Sequence, residues 1–245
     1  MNREVQLGLA FVEAADTLAD DFDVDVFLHA LATRCVQLLP VDAAGLMLAD
    51  QRGRLQASCA TSENARLLAL FELQSGAGPC LDAFSSGHPV AGTALDAGRE
   101  RWPNFAEAGR ALEFDSVHAL PLRRHAEVIG VLSLLRAGPG ALDDTDSRTG
   151  QALADVATIG LLAQRSRHQA ALLSDQLQQA LTSRVMIEQA KGILAERYQI
   201  TPGEAFCVLR RYSRRHRLRL TDLAELVAQQ PAVILQRDTI GSFIS

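Results

Sequence analysis

The chain has 245 residues, 48% of them hydrophobic and 22% charged, which is typical of one or two globular domains. Its longest apolar run, residues 128–135, is far shorter than the roughly 20 residues of a membrane-spanning helix. Four scattered cysteines without a C-x-x-C pair argue against a zinc site or a disulfide framework, and early acidic residues argue against a signal peptide. We expect a cytoplasmic protein without a metal site or membrane contact.

The first part of the chain mixes helical and strand patterns. The strand at 127–135 is apolar on both alternating faces, so we expect it at the centre of a sheet, and Pro89 places its strand at an edge. The order predicts an α+β domain with a mostly antiparallel sheet. The predicted elements are an N-terminal helix with Leu7, Phe11, Ala14 and Leu18 on one face, a helix at 23–39, a hairpin of strands 43–49 and 55–60, a helix near 63–73, a short helix at 81–85, a strand at 89–94, a helix at 102–112, and strands at 116–122 and 127–135.

From about residue 143 the pattern is helical throughout. One or two long helices would end near Tyr198, and Leu173, Leu177 and Ala180 would share a side suited to a parallel dimer seam. Residues 201–204, Thr-Pro-Gly-Glu, form a capping box that predicts a helix to about residue 217. A third helix is expected from Thr221 to about residue 229.

Charge is unevenly distributed. The net charge is -5, yet residues 184–219 hold nine basic and three acidic residues, a net +6, which leaves -11 for the rest. Arg210 and Arg214, like Arg211 and Arg215, are four residues apart, where like charges repel by about 0.2–0.5 kcal/mol per pair. Clustered planar guanidinium groups are suited to phosphate, so this segment predicts a polyanion-binding module.

Residues 183–197, SRVMIEQAKGILAER, resemble the signature of the ANTAR domain, and the likeness continues through 202–206, 209–210 and 220–224. The resemblance implies a three-helix module that binds RNA as a dimer and stabilises hairpins in nascent transcripts, so that an overlapping terminator does not form. The chain departs from the family pattern at Ala195, where Met is frequent, and at Arg217, where Asn is common. The resemblance and the basic pattern together mark these candidate RNA-binding residues: Arg184, Gln189, Lys191, Arg197, Arg210, Arg211, Arg214 and Arg215.

Earlier segments, GPCLDA at 78–83, Trp102-Pro103, SVHALPL at 116–122 and IGVL at 129–132, resemble a GAF domain over most of residues 22–165. GAF domains sense ligands or dimerise, and their ligands differ widely. The resemblance therefore implies a small-molecule ligand but leaves the ligand and any cofactor unknown. Cys80 is a candidate pocket residue.

The sequence thus predicts a GAF-like antiparallel sheet flanked by helices in residues 1–165. A long helix and an all-α three-helix ANTAR module follow in residues 166–245, with a core at about 172–229. The expected function is that of a signal-responsive, non-enzymatic homodimer that binds hairpins in nascent transcripts and controls transcription termination. No catalytic residue is predicted.

Two alternatives stay open. A basic three-helix unit also suits a DNA-binding regulator of the helix-turn-helix kind, although the long first helix argues against it. A thiol-based redox enzyme or sensor would act through Cys80. Its reactivity would need a lowered thiol pKa, and no Lys or Arg lies nearby in sequence.

Overall fold

The computed structural model describes Gly8 and residues 22–95, 100–138 and 140–229. The expected helix face of Leu7, Phe11, Ala14 and Leu18 lies outside these residues. The elements in chain order are α1 (Val24–Leu38), β1 (Ala43–Ala49), β2 (Leu55–Ala60), α2 (Glu63–Ser75), α3 (Pro79–Ser86), β3 (Val90–Ala94), α4 (Pro103–Ala111), β4 (Ser116–Arg124), β5 (Glu127–Arg136), α5 (Asp144–Tyr198), α6 (Pro202–His216) and α7 (Leu220–Gln229).

These elements belong to two compact units, Met1–Arg167 and His168–Ser245, and α5 contributes residues to both. Where the sequence allows one or two long helices, the structure has a single helix of 55 residues. No helix in the described part of the chain is long and apolar enough to cross a membrane.

The first unit is built on a five-stranded antiparallel sheet with the order β2-β1-β5-β4-β3. Strand β5 is central and β3 lies at an edge, as predicted from their apolar and proline patterns. The hairpin strands β1 and β2 have the predicted bounds, because the turn signal at residues 50–53 separates them. The α+β fold class is therefore confirmed.

Both faces of the sheet are covered. Side chains alternate along β5, so Leu132 and Leu134 pack with α1 and α5 in one core, while Val131 and Leu135 face the side of α2, α3 and α4. Gly130 marks the closest approach of β5 to β1, because a Cβ atom there would collide with the carbonyl oxygen of Met47. Buried apolar side chains fill the interior on both sides of the central strand.

The second unit combines the last part of α5 with α6 and α7 around a small core of its own. Thr201 begins α6 with the predicted capping box: its hydroxyl accepts from the Glu204 backbone N–H at 3.3 Å, and the Glu204 carboxylate accepts from the Thr201 N–H at 2.8 Å. The buried residues of this core are Ala190, Leu194, Ala205, Val208, Leu209, Leu223, Ala224 and Val227.

The departure at Arg217 occurs where α6 ends. Arg217 is in the left-handed region with φ 55°, and the Ser213 hydroxyl donates to the carbonyl oxygen of Leu218 at 2.6 Å. Asn tolerates this conformation better than other side chains, which accounts for the family's preference at this position. In this chain an arginine adopts the left-handed conformation that ends the helix.

Candidate nucleic-acid interface and sensor cavity

The second unit presents four arginine side chains on the solvent-facing part of α6. Arg210, Arg211, Arg214 and Arg215 are all exposed, whereas Val208 and Leu209 on the same helix are buried. Each guanidinium group carries five N–H donors and no acceptor. The exposed side of the helix therefore carries a concentrated array of positive charge and N–H donors.

Lys191 on α5 lies beside this array. Its ammonium group is 5.8 Å from the centre of the Phe206 ring and 2.8 Å from both carboxylate oxygens of Glu188. Phe206 precedes Arg210 by one helical turn, so Lys191 stands at the end of the row Phe206, Arg210, Arg214. The structure thus brings the α5 and α6 cations together.

In the sequence, the 3.6-residue period places Ala205, Phe206, Leu209, Tyr212 and His216 on one apolar side of α6, and the structure differs from that expectation at the borders. Phe206 and Tyr212 are half-buried rather than central, and His216 is exposed and stacks on Tyr212 at 4.2 Å between ring centroids. Val208 and Ser213 occupy the buried face instead.

The other predicted site residues lie on α5. Arg184, Gln189 and Arg197 are exposed, and Gly192 is exposed among them. A Cβ atom on Gly192 would meet nothing within 4 Å, so the packing of its own unit does not demand a glycine there. Since glycine in a helix costs about 0.5–1 kcal/mol relative to alanine, its occurrence at this surface calls for another reason.

The first unit encloses a cavity between the sheet and helices α2, α3 and α4. Its volume is only about 10 Å³, enough for one water molecule at most. Cys80 lines it. The main lining side chains are Met47, Leu68, Glu72, Cys80, Phe105 and Ser133.

Glu72 is the unusual group of this cavity. It is 1% exposed, and its Oε1 accepts the backbone N–H groups of Cys80 at 2.6 Å and Leu81 at 3.0 Å, in the first turn of α3. Burial raises the pKa of the carboxyl to about 7, although these hydrogen bonds act in the opposite direction. A Cβ atom on Gly78 would collide with this carboxylate, so the Gly78-Pro79-Cys80 segment folds around it.

Sequence reasoning missed Glu72. The available signal was the position of Glu72, four residues after Leu68 and therefore on the apolar face of α2. A charged side chain at a buried position needs a partner, so this spacing predicts one for Glu72. The segment at 78–83, singled out for Cys80, supplies the hydrogen-bond donors of this carboxylate through the N–H groups of Cys80 and Leu81.

Cys80 is poorly suited to thiolate chemistry. It is 1% exposed, and burial together with the neighbouring Glu72 carboxylate raises the pKa of its thiol well above the usual range. The thiolate is the reactive form, so this environment suppresses nucleophilic attack. Among the residues that the structure describes, no three His, Cys, Asp or Glu side chains are grouped to hold a metal ion.

Family comparisons agree with this architecture. A family model for the GAF domain matches residues 23–161, more than half of the chain. The chain belongs to the GAF domain family. A model for the ANTAR domain matches residues 175–227, so the chain has the GAF–ANTAR arrangement. This domain content is that of an RNA-binding antitermination regulator with a sensor domain.

Solved structures share the GAF fold at low identity. The GAF domain of a phosphoenolpyruvate-protein phosphotransferase from Coxiella burnetii is 15% identical with a TM-score of 0.54, covering 69% of this chain and 99% of that one. The corresponding domain from Acinetobacter is 12% identical, with a TM-score of 0.53 and coverages of 68% and 96%.

Free methionine-R-sulfoxide reductase from Neisseria meningitidis, solved with its substrate, is 21% identical, with a TM-score of 0.50 and coverages of 64% and 89%. At these identities the three likenesses show the fold alone. A search of curated proteins found no match.

The buried carboxyl of the GAF domain generates a pH prediction. The pKa of Glu72 is about 7 in the folded chain, whereas its ordinary value is 4.5. Between pH 4.5 and pH 7 the folded chain therefore keeps a proton on Glu72 that the unfolded chain releases. The contribution of this proton to the free energy of unfolding is complete below pH 4.5 and is lost as the pH rises through 7. The difference in unfolding free energy, wild type minus Glu72→Gln, should fall by about 3 kcal/mol over this range.

Urea unfolding followed by the fluorescence of Trp102, the only tryptophan, measures this difference in the GAF domain. Burial and Arg136 lower the pKa of His118 to about 4, which gives a stability trend of opposite sign in both proteins. The subtraction cancels the His118 contribution. A difference that stays constant from pH 4.5 to 8 would contradict the assignment.

Proposed function

We propose that this chain binds hairpins in nascent transcripts through its ANTAR domain and thereby controls transcription termination in response to a signal received by its GAF domain. The observation that carries the proposal is the exposed arginine array of α6, inside the segment that matches the ANTAR family. The GAF domain would influence RNA binding only if its signal stabilises one arrangement of the protein over another.

The array is suited to the phosphates of a hairpin stem. Guanidinium groups bind phosphate through paired N–H donors, and Arg210 and Arg214 are one helical turn apart on an exposed surface. Sequence in RNA is read mainly from unpaired bases, for which the exposed amide of Gln189 offers both a donor and an acceptor. Lys191 would add a cation once it exchanges Glu188 for a phosphate.

Replacing Arg210 and Arg214 with Glu tests the array directly. Both side chains are exposed, so the helical circular dichroism should be nearly unchanged, while RNA affinity should fall by about tenfold or more as phosphate contacts become repulsive. The measurement is fluorescence anisotropy with stem–loop RNA selected by the wild-type protein from a random-loop library, repeated across a salt titration.

Two further variants complete this experiment. Arg210→Gln with Arg214→Gln removes the charges without placing acids at the negative end of α6, and the salt slope should fall by about 0.7–0.9 for each lost contact. Arg52→Glu with Arg54→Glu makes the same change in net charge in the GAF domain and should leave affinity intact. Equal binding by wild type and the double-Glu variant, or preference for duplex DNA, would overturn the proposal.

Gly192 gives an independent test of the α5 side of the interface. Gly192→Ala should raise the thermal stability of the ANTAR helices, by about 0.5–1 kcal/mol, because nothing opposes the new methyl group. We expect the same variant to bind the selected hairpin more weakly, since the glycine leaves space for close approach of RNA. Higher stability with unchanged affinity would show that RNA does not approach α5 at this point.

We also propose that the protein acts as a homodimer. Five large apolar side chains in the part of α5 after residue 167 are 50–61% exposed, which is costly for a helix that stays single. They are Leu172, Leu173, Leu177, Leu181 and Val185. Pairing of two such helices would bury them and hold two ANTAR domains together, so that the second RNA contact gains from a high effective concentration.

Leu173→Asp with Leu177→Asp should halve the mass measured by light scattering and weaken hairpin binding. The matched control is Val26→Asp with Leu67→Asp, which alters two exposed apolar residues of the GAF domain that are 67% and 41% exposed. An unchanged mass for the α5 variant, or the same loss in the control, would exclude this seam.

A further inference from the structure

An open cleft lies on the outside of the GAF domain, apart from the small interior cavity. It is formed by the turn between α3 and β3, the end of β4 with the turn that follows, and the first third of α5. Its volume is about 500 Å³, within the range of small-molecule sites, whereas the interior cavity of about 10 Å³ holds one water molecule.

One side of the cleft is basic. Arg123, Arg124 and His125 come from the end of β4 and its turn, and all three are exposed. Within the described ranges, neither Arg123 nor Arg124 has a side-chain ion pair or hydrogen bond, so both guanidinium groups are available to an anion. Two such groups at one rim favour a carboxylate, phosphate or sulfonate.

The lining of the cleft also includes apolar surface and hydrogen-bond acceptors. Pro89, Pro121 and Ile159 supply the apolar part, and Ile159 is 52% exposed. Asp155 on α5 adds an exposed carboxylate to the lining. The cleft therefore suits a molecule that carries an acid at one end and an apolar body.

Gln151 provides a second acceptor. Its Nε2 donates to the Pro121 carbonyl oxygen at 3.1 Å and to Oδ1 of Asp155 at 2.9 Å, which fixes the amide orientation because both partners only accept. Its Oε1 is buried and has no hydrogen-bond partner in the described part of the protein. A buried acceptor without a partner is uncommon in proteins, and this one belongs to a side chain that lines the cleft.

We propose that this outer cleft is the ligand site of the GAF domain and that it binds a small organic acid with an apolar body and a hydrogen-bond donor. Arg123 and Arg124 hold the acid group, Pro89, Pro121 and Ile159 cover the body, and Asp155 with Gln151 accepts the donor. The inference deepens the proposed sensor role and rests on that role for its biological meaning. The binding itself is testable without RNA.

The probe is 8-anilinonaphthalene-1-sulfonate, which carries a sulfonate, apolar rings and one N–H donor. Titration of the full chain should give a saturable rise in fluorescence with one site per chain. Arg123→Gln with Arg124→Gln should raise the Kd by about tenfold or more, and added salt should weaken wild-type binding. Ile159→Glu, on a different element, should weaken binding as well because it adds a carboxylate beside the cleft.

Two controls address other apolar surfaces. Arg52→Gln with Arg54→Gln removes the same charge, and Arg54 lines a second open cleft of about 700 Å³. Leu173→Asp with Leu177→Asp removes part of the exposed α5 stripe. Both should keep the Kd within about twofold of wild type, because neither pair of residues lines the outer cleft, and this holds for the monomer that the α5 variant should form.

The proposal is overturned if the Arg123 and Arg124 variant binds the probe like wild type while retaining the Trp102 emission of the folded protein. It is equally overturned if the loss occurs only in the Arg54 or α5-stripe controls. Hairpin binding measured separately, without probe, should stay at the wild-type level in the Arg123 and Arg124 variant. A wild-type chain that binds no hairpin would defeat the proposed function and leave the result on the cleft standing.

Discussion

Strand β5 is buried on both faces, and the first unit is arranged around that constraint. A central strand covered on two sides needs one set of helices for each face, and α1 with α5 closes one while α2, α3 and α4 close the other. Gly130 allows β1 to pair closely with β5 within the sheet, and the helix layers leave an interior cavity of only about 10 Å³. The same dense packing determines where charged groups and ligands can be placed.

Within this packed interior, Glu72 is stabilised by the N-terminal end of α3 rather than by a cation. Its carboxylate meets the N–H groups of Cys80 and Leu81, which are otherwise without partners at a helix start. The cost of burial appears as a raised pKa, and the same environment keeps the Cys80 thiol protonated. An interior cavity of about 10 Å³ does not admit an organic ligand, which is why the ligand site of a sensor is proposed in the outer cleft.

The second unit meets a different constraint, because three helices provide only a small core. Its stability depends on the Thr201 capping box and on close packing of small residues such as Ala190 and Ala205. The arginines on α6 repel one another and oppose this stability slightly. Arg214 and Arg215 recover part of that energy, since cations at a helix C-terminus are favourable.

The sequence by itself determined most helix and strand bounds, the central place of β5, the capping box and the exposure of the α6 arginines. Each of these follows from neighbours a few residues apart: apolar alternation, turn residues at 50–53, or the 3.6-residue period. Only the tertiary structure decided that Glu72 is buried, that Lys191 stands over Phe206, and that Arg123 and Ile159 border one cleft. These arrangements join residues from separate elements, and burial and pKa depend on every group packed around a side chain, which no local pattern records.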